Sequence, residues 1–280
     1  MEFRNPSQYG AGTNWYDEIL RTAPQRNVNA TISKGTEDLR ASLSLGYLDQ
    51  DGTVRYTGYK RYSARTNVEG KVGEKIRLGL NLAPTYSIQQ GNDFENNFVD
   101  VLSRSLWLSP LIPVTDGNGN RTPFVASPGM FTGPNPLNSL ELAGTTRKTL
   151  QGLGGAFAEY TIVPGLRLRY SVNVNYANGS AFTFNPASVG GIFAPPPTIP
   201  NSSSSEYTRF NWLSETLLSY DKKFGDHEVS AVAGYTAQKE KYTSQNIFAN
   251  NYPGDDVRTI NAAALVPSYG ADVQEWALIS

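Results

Sequence analysis

Apolar and polar residues alternate with a two-residue period over most of this chain, which is the spacing of a β-strand with two different faces. The first such segment is short: Val28, Ala30 and Ile32 lie on one face, with Asn27, Asn29, Thr31 and Ser33 on the other. Segment 39–47 sets Leu39, Ala41, Leu43, Leu45 and Tyr47 against Arg40, Ser42, Ser44 and Gly46, and 61–69 sets Tyr62, Ala64, Thr66 and Val68 against Arg61, Ser63, Arg65, Asn67 and Glu69. The cleanest is Ile76, Leu78, Leu80 and Leu82 against Arg77, Gly79 and Asn81. The pattern resumes at 147–163, 166–177, 207–221 and 227–240, and a ninth strand is expected from about Gln274.

Connections between these segments differ in length on the two sides. Short ones fall at 34–38, 70–75, 164–165 (Pro-Gly) and 222–226, and longer ones at 48–58, 87–146, 178–206 and 241–273. Antiparallel hairpins explain tight turns at one edge and long loops at the other. Several segments run 12 to 17 residues, beyond the five or six usual in soluble sheets. A strand crossing a bilayer needs about 9–11 tilted residues and often projects further. One apolar face, one charged face (Arg61, Arg65, Glu69, Arg77, Arg167, Arg169, Glu215) and Tyr near strand ends form the outer-membrane barrel pattern. The expected fold is therefore all-β: an antiparallel transmembrane β-barrel section of about eight to nine strands of a larger barrel. The competing reading is a soluble antiparallel sandwich with one wet face.

Composition narrows the chemistry. The chain has 280 residues with Lys+Arg 24 and Asp+Glu 25, so no overall basic field points to nucleic acid. With 32 aromatics (Tyr 16, Phe 12, Trp 4) it is not a disordered chain. Cys 0 excludes disulfides, thiolate metal sites and cysteine nucleophiles, and a single His227 leaves one candidate base for any triad. No apolar run reaches the length of a transmembrane helix. Met1-Glu-Phe-Arg-Asn-Pro6 has no apolar core, which predicts a chain without a signal peptide. The carboxylates are dispersed, with no pair placed for glycoside hydrolysis, so no enzyme, metal or cofactor is expected.

Residues 14 to 82 carry a more specific pattern. Asn14-Trp-Tyr-Asp-Glu-Ile19, Arg21-Thr-Ala-Pro24, Asn29, and Ser33-Lys-Gly-Thr-Glu37 are followed by Ser44-Leu-Gly-Tyr-Leu-Asp-Gln-Asp-Gly52, Lys60-Arg-Tyr-Ser-Ala-Arg65-Thr-Asn67 and Gly79-Leu-Asn-Leu82. A weaker echo is Leu111-Ile-Pro-Val-Thr-Asp-Gly117 with Pro134-Asn-Pro136. In this order and spacing the pieces resemble the SusC/RagA-like family of TonB-dependent outer-membrane transporters. Lys34-Gly35 stands where the family pattern often has Gly-Gly.

The resemblance implies a barrel of about 22 strands closed by an N-terminal plug. It also implies TonB-energised uptake of large nutrients (glycan or peptide oligomers) across the outer membrane of a Gram-negative bacterium, with a SusD-like surface lipoprotein as lid. Set against that architecture, this chain is expected to lack the plug, the TonB box and the closing C-terminal strand. The expected organisation is a loop over 1–24 leading into a partial barrel over 25–280. Alternatives from other classes are a secreted or surface carbohydrate-binding or adhesive β-sheet module, and a passive porin-like barrel.

Contact candidates are few. Asn14–Leu20 reads as a short helical turn in which Trp15 could stack on a sugar and Asp17 could bind a hydroxyl. The competing reading is structural, with Trp15 packed at the barrel rim and Asp17 in a cap or local pair. Phe94, Phe98, Val101, Leu102 and Leu106 follow helical spacing, predicting an amphipathic helix over 93–107 that meets either a lid or the barrel wall. Trp107, beside Pro110 and Pro113, completes the partner-contact set. Asp116-Gly-Asn-Gly-Asn120 fails as a calcium loop, with Arg121 at the sixth position and Ser127 at the twelfth, and reads as a turn. Ser202–Ser205 and Pro195–Pro197 read as a loop tip.

Overall fold

The computed structural model describes residues 10–91, 100–127 and 129–280. Its frame is one antiparallel sheet built from β1 (Gln25–Gly35), β2 (Leu39–Asp51), β3 (Gly58–Val72), β4 (Ile76–Gly91), β7 (Gly144–Val163), β8 (Leu166–Asn185), β9 (Asn201–Phe224), β10 (His227–Asn250) and β11 (Leu265–Ile279). These strands lie side by side in chain order. A two-stranded ribbon, β5 (Phe124–Val125) with β6 (Gly133–Pro134), and three short helices, α1 (Trp15–Ile19), α2 (Val101–Trp107) and α3 (Pro136–Leu142), stand apart from it. Among the described residues no helix is long and apolar enough to cross a membrane, which says nothing about crossing by strands.

Register carries the two faces intact across the wall. Ala41, Val68, Leu80, Ala156 and Val172 are successive cross-strand neighbours, and one residue away Ser42, Asn67, Asn81, Gly155 and Asn173 form the row on the opposite face. Because the side-chain period is two, a slip of one residue would mix these rows, so the pattern specifies the pairing. At the Pro164-Gly165 hairpin, Gly165 has φ +92° and a Cβ there would collide with the carbonyl of Asp221. Proline followed by a left-handed residue is the chemistry of a type II turn. Inside the wall, Pro84 has no N–H to donate, and the β3–β4 ladder skips Ala64 and Arg65 opposite it.

Among the described residues no protein layer covers the apolar face. Leu78, Leu80 and Leu82 are 42–45% exposed, and Leu43, Leu168 and Leu218 are exposed likewise. The outward rows span ten residue steps on each of three strands, from Ile76 to Tyr86, Leu166 to Tyr176 and Tyr220 to Phe210. At ~3.4 Å per residue and a tilt of about 40°, that is a band about 26 Å tall, the height of an outer-membrane hydrocarbon layer. Tyr47, Tyr62 and Tyr86 close its loop-side edge, with ring centroids 5.1 Å and 6.5 Å apart in cross-strand succession. Aromatic rings at that level form a membrane-interface girdle.

Strand ends differ from the sequence expectation on the long-loop side. β8 continues to Asn185, β9 begins at Asn201 and β10 reaches Asn250, so the loops shrink to 186–200 and 251–264; β11 starts at Leu265, nine residues before the expected Gln274. Ser202–Ser205, expected in a loop tip, are part of β9, and Ser202 is buried with its hydroxyl 2.6 Å from Tyr252 Oη. Beyond the apolar band neither face needs to be apolar, so alternation fades while the backbone ladder continues.

Buried apolar side chains gather in the loops rather than beneath the sheet. Ile19, Val54, Val101, Leu137 and Leu140 form one cluster, Trp15, Leu108 and Val125 a second, and Phe184, Ala249 and Tyr252 a third. The described part of the expected 93–107 helix is α2, which starts at Val101; Phe94 and Phe98 lie outside the described residues. Leu106 does not join an apolar stripe. It is 67% exposed, because the helix turns Val101, Arg104 and Ser105 inward.

Candidate functional site: the polar wall and the loop crown

The sheet is concave on its polar side. A hollow of about 500 Å³ lies against β1 to β4 and β7, and the polar-face residues lining it include Asn29, Ser44, Arg61, Ser63, Thr85 and Gln151. A second, near the tight turns, is lined by Ser42, Asn67, Glu69, Asn81 and Phe157. In the tight-turn half several charges pair: Arg77 lies 2.7 Å from Glu69 and 3.6 Å from Glu159, Arg169 3.8 Å from Glu159, and Arg167 2.8 Å from Asp221. Arg169 also stacks over Phe157 at 3.9 Å. Such half-exposed pairs add little stability, but they keep a wet surface polar and locally neutral.

Above the wall stands a crown of loops. α1 begins at Asn14, whose side chain caps it by accepting from the Asp17 amide, while Asn14 Nδ2 donates to Asp17 Oδ2 at 2.6 Å. Asp17 is exposed and spends one carboxylate oxygen in this local pair. Trp15 is 1% exposed: its indole Nε1 donates to the Ser109 carbonyl at 2.9 Å, and its ring meets Leu108 and Val125. Its faces are thus taken up by protein in this structure, because the α1 cap aims it into the loop that follows α2.

Trp107 ends α2 and is 47% exposed. Its ring is edge-on to Phe131 at 6.3 Å, and Phe131 is edge-on to Phe193 at 6.2 Å. Phe131 also packs on the cluster holding Trp15, so Trp15 and Trp107 belong to one aromatic assembly, the first inside it and the second at its surface. Phe131 and Phe193 were not singled out from sequence. They come from separate loops, and only the outward position of a ring shows that it is available.

Two polar anchors hold the crown. Asp255 accepts from the Ala187 and Ser188 amides at 2.6 and 3.0 Å, tying loop 251–264 to loop 186–200. Arg258 donates to the Asp255 and Leu142 carbonyls and lies over the Phe184 ring. Burial alone would raise the Asp255 pKa, but hydrogen bonds from Ser188 and Ala187, with Arg258 nearby, outweigh it and hold the carboxyl below its ordinary value. Beneath α2, Arg104 is 6% exposed, and burial lowers its pKa to about 10. Asp116 Oδ1 accepts from the Asn118 and Asn120 amides, so the Asp-Gly-Asn-Gly-Asn stretch is an Asx-type turn.

A one-layer antiparallel wall with a girdled apolar outside and a hydrated concave inside is a section of an outer-membrane-type β-barrel. No family model matches the chain. It is 25% identical over 290 aligned positions to TonB-dependent receptor P3 of Formosa agariphila, covering 99% of this chain and 28% of that one. It is also 25% identical to TonB-dependent receptor SusC of Bacteroides thetaiotaomicron, over 82% of this chain and 24% of that one. Among solved structures, that of the RagAB peptide transporter matches 96% of this chain and 31% of its own with a TM-score of 0.81 at 18% identity, which shows the shared fold. The chain therefore spans under a third of the length of these relatives. Sequence and fold agree in what they resemble: the chain is similar to SusC/RagA-like TonB-dependent outer-membrane transporters over a section of their barrel.

Proposed function

We propose that this chain forms part of the wall and loop crown of an outer-membrane transporter that takes up large nutrients, glycan or peptide oligomers, using energy delivered by TonB. In this reading 1–24, of which 1–9 lie outside the described residues, lead into the partial barrel, and 25–280 make up that barrel with its loops. The mechanism is binding and gated passage, with no covalent chemistry. The carrying observation is the unpartnered apolar band, about 26 Å tall, backed by a concave polar face. In water such a band would be an aggregation surface; in lipid it is satisfied. The loop crown supplies the partner surface: Trp107 and Phe193 are exposed on either side of the half-buried Phe131, as aromatic anchors of interfaces are. A SusD-like lipoprotein meeting that crown is the partner the reading implies, since SusC and RagAB are the named relatives.

The test uses the protein expressed in its own bacterium. It should fractionate with the outer membrane, require detergent for extraction, and co-purify with a surface lipoprotein. Trp107→Ala should weaken that association about tenfold or more while leaving membrane assembly intact. Recovery in the soluble fraction without detergent would instead favour a secreted β-sheet module.

A further inference from the structure

Arg61 and Arg65 stand four residues apart on the polar face of β3, and both line the 500 Å³ hollow. Neither guanidinium has an ion-pair or hydrogen-bond partner among the described residues. This contrasts with Arg77, Arg167, Arg169 and Arg209 on the same face, each within 3.8 Å of a carboxylate. The polar-face positions level with Arg61 and Arg65 on β1, β2, β4 and β7 are Asn, Ser, Thr, Gln, Gly, Ala and Leu, with no Asp or Glu. Around Arg61 and Arg65 the wall therefore carries positive charge ringed by neutral donors, whereas most arginines elsewhere on this face are paired, Arg40 near the tight turns excepted. The gap in the β3–β4 ladder at Ala64 and Arg65 falls within the same hollow.

We propose that this hollow is an oxyanion-binding station, in which Arg61 and Arg65 take carboxylate groups of a ligand inside the barrel while Ser44, Ser63, Thr85 and Gln151 hydrogen-bond its neutral polar groups. The proposal rests on the transporter reading, because it needs the polar face to enclose the ligand. The chemistry follows from the groups present. Guanidinium binds carboxylate in a fork of two N–H donors, and a concave surface of one sign concentrates counter-charge. Two such groups about 13 Å apart along the strand suit an extended ligand with acidic groups at intervals rather than a single small ion. The carboxylates come either from a solute in passage or from polypeptide that fills the barrel, and both are met by the same two side chains.

The experiment compares the detergent-purified protein with its Arg61→Gln/Arg65→Gln and Arg61→Lys/Arg65→Lys variants. The probes are trigalacturonate and its uncharged methyl ester, read by calorimetry, and folding is checked separately by heat-modifiable gel mobility. A solute site predicts that wild type binds the acid at least tenfold more tightly than the ester, that the Gln pair abolishes the difference, and that the Lys pair restores part of it. A site for internal polypeptide predicts no binding of either probe, with the Gln pair lowering the unfolding midpoint by several degrees and the Lys pair recovering it. A folded, detergent-dependent protein in which neither the probe affinities nor the midpoint respond to the Gln pair overturns the proposal. Solubility without detergent would overturn the transporter reading instead, so the two failures are distinct.

Discussion

Phe157 of β7 lies across Gly79 of β4, its ring edge occupying the space where a Cβ on residue 79 would project. The same ring carries Arg169 on its face, so glycine, aromatic ring and guanidinium form one stack on the polar side of the wall. Gly79→Val should displace the ring and cost about 1–3 kcal/mol through overpacking. Pairing it with Phe157→Ala should remove most of that cost, since the clash needs both partners. Unfolding midpoints in detergent for the four members of the cycle measure the coupling; additive effects would mean the ring does not sit there.

Leu80 lies in the middle of the outward band, between Val68 and Ala156. Leu80→Arg should cost about 2–4 kcal/mol if that face meets lipid near mid-bilayer. Asn81→Arg, one residue away but facing the wet side, should assemble almost normally. Heat-modifiable mobility of both variants in outer-membrane fractions reads the contrast, and equal tolerance of the two would remove the lipid-facing assignment.

Trp15 is buried and its indole N–H is bonded to Ser109. Trp15→Ala should destabilise the loop crown by about 3–5 kcal/mol, leaving a cavity against Leu108 and Val125 and an unpaired carbonyl. Limited proteolysis should then cut the 100–143 segment while the strands stay resistant. Trp107→Ala, at a half-exposed ring, should leave the protease pattern unchanged.

The Asp255 clamp depends on an ionised carboxylate. Its folded pKa lies below the ordinary 3.8, so its contribution is fully present above that value and is lost as pH falls through the lower folded value. Cleavage within loops 186–200 and 251–264 should therefore rise on acidification below about pH 4. Asp255→Asn should show faster cleavage at neutral pH and a flatter pH profile. A wild-type profile that does not change with acid would mean the clamp does not hold these loops together.

Much of the wall was legible in the sequence. The rows through Leu80 and Asn81 appear as alternation before any pairing is known, because a strand between lipid and water must sort its side chains by face. The tight turn at Pro164-Gly165 was legible for a similar reason, since only certain residues fit the backbone there. Ser202–Ser205 were not, because their strand runs above the membrane, where no apolar face is required and the signal disappears. The contact residues were the least legible. Trp15 and Trp107 look alike in sequence, yet one is sealed beneath Phe131 and the other lies exposed beside it.

The sequence by itself determined the all-β class, the two faces, the one-sided distribution of long loops and the family resemblance, since each depends on near neighbours in the chain and on the solvent each residue must meet. Only the tertiary structure decided which arginines are neutralised and which are not. Arg77 and Arg65 sit on the same strand face pattern, but Arg77 has Glu69 and Glu159 across the ladder while Arg65 has Ser44. Cross-strand partners are distant in sequence, so charge compensation is a property of register, and register exists only once the sheet has formed.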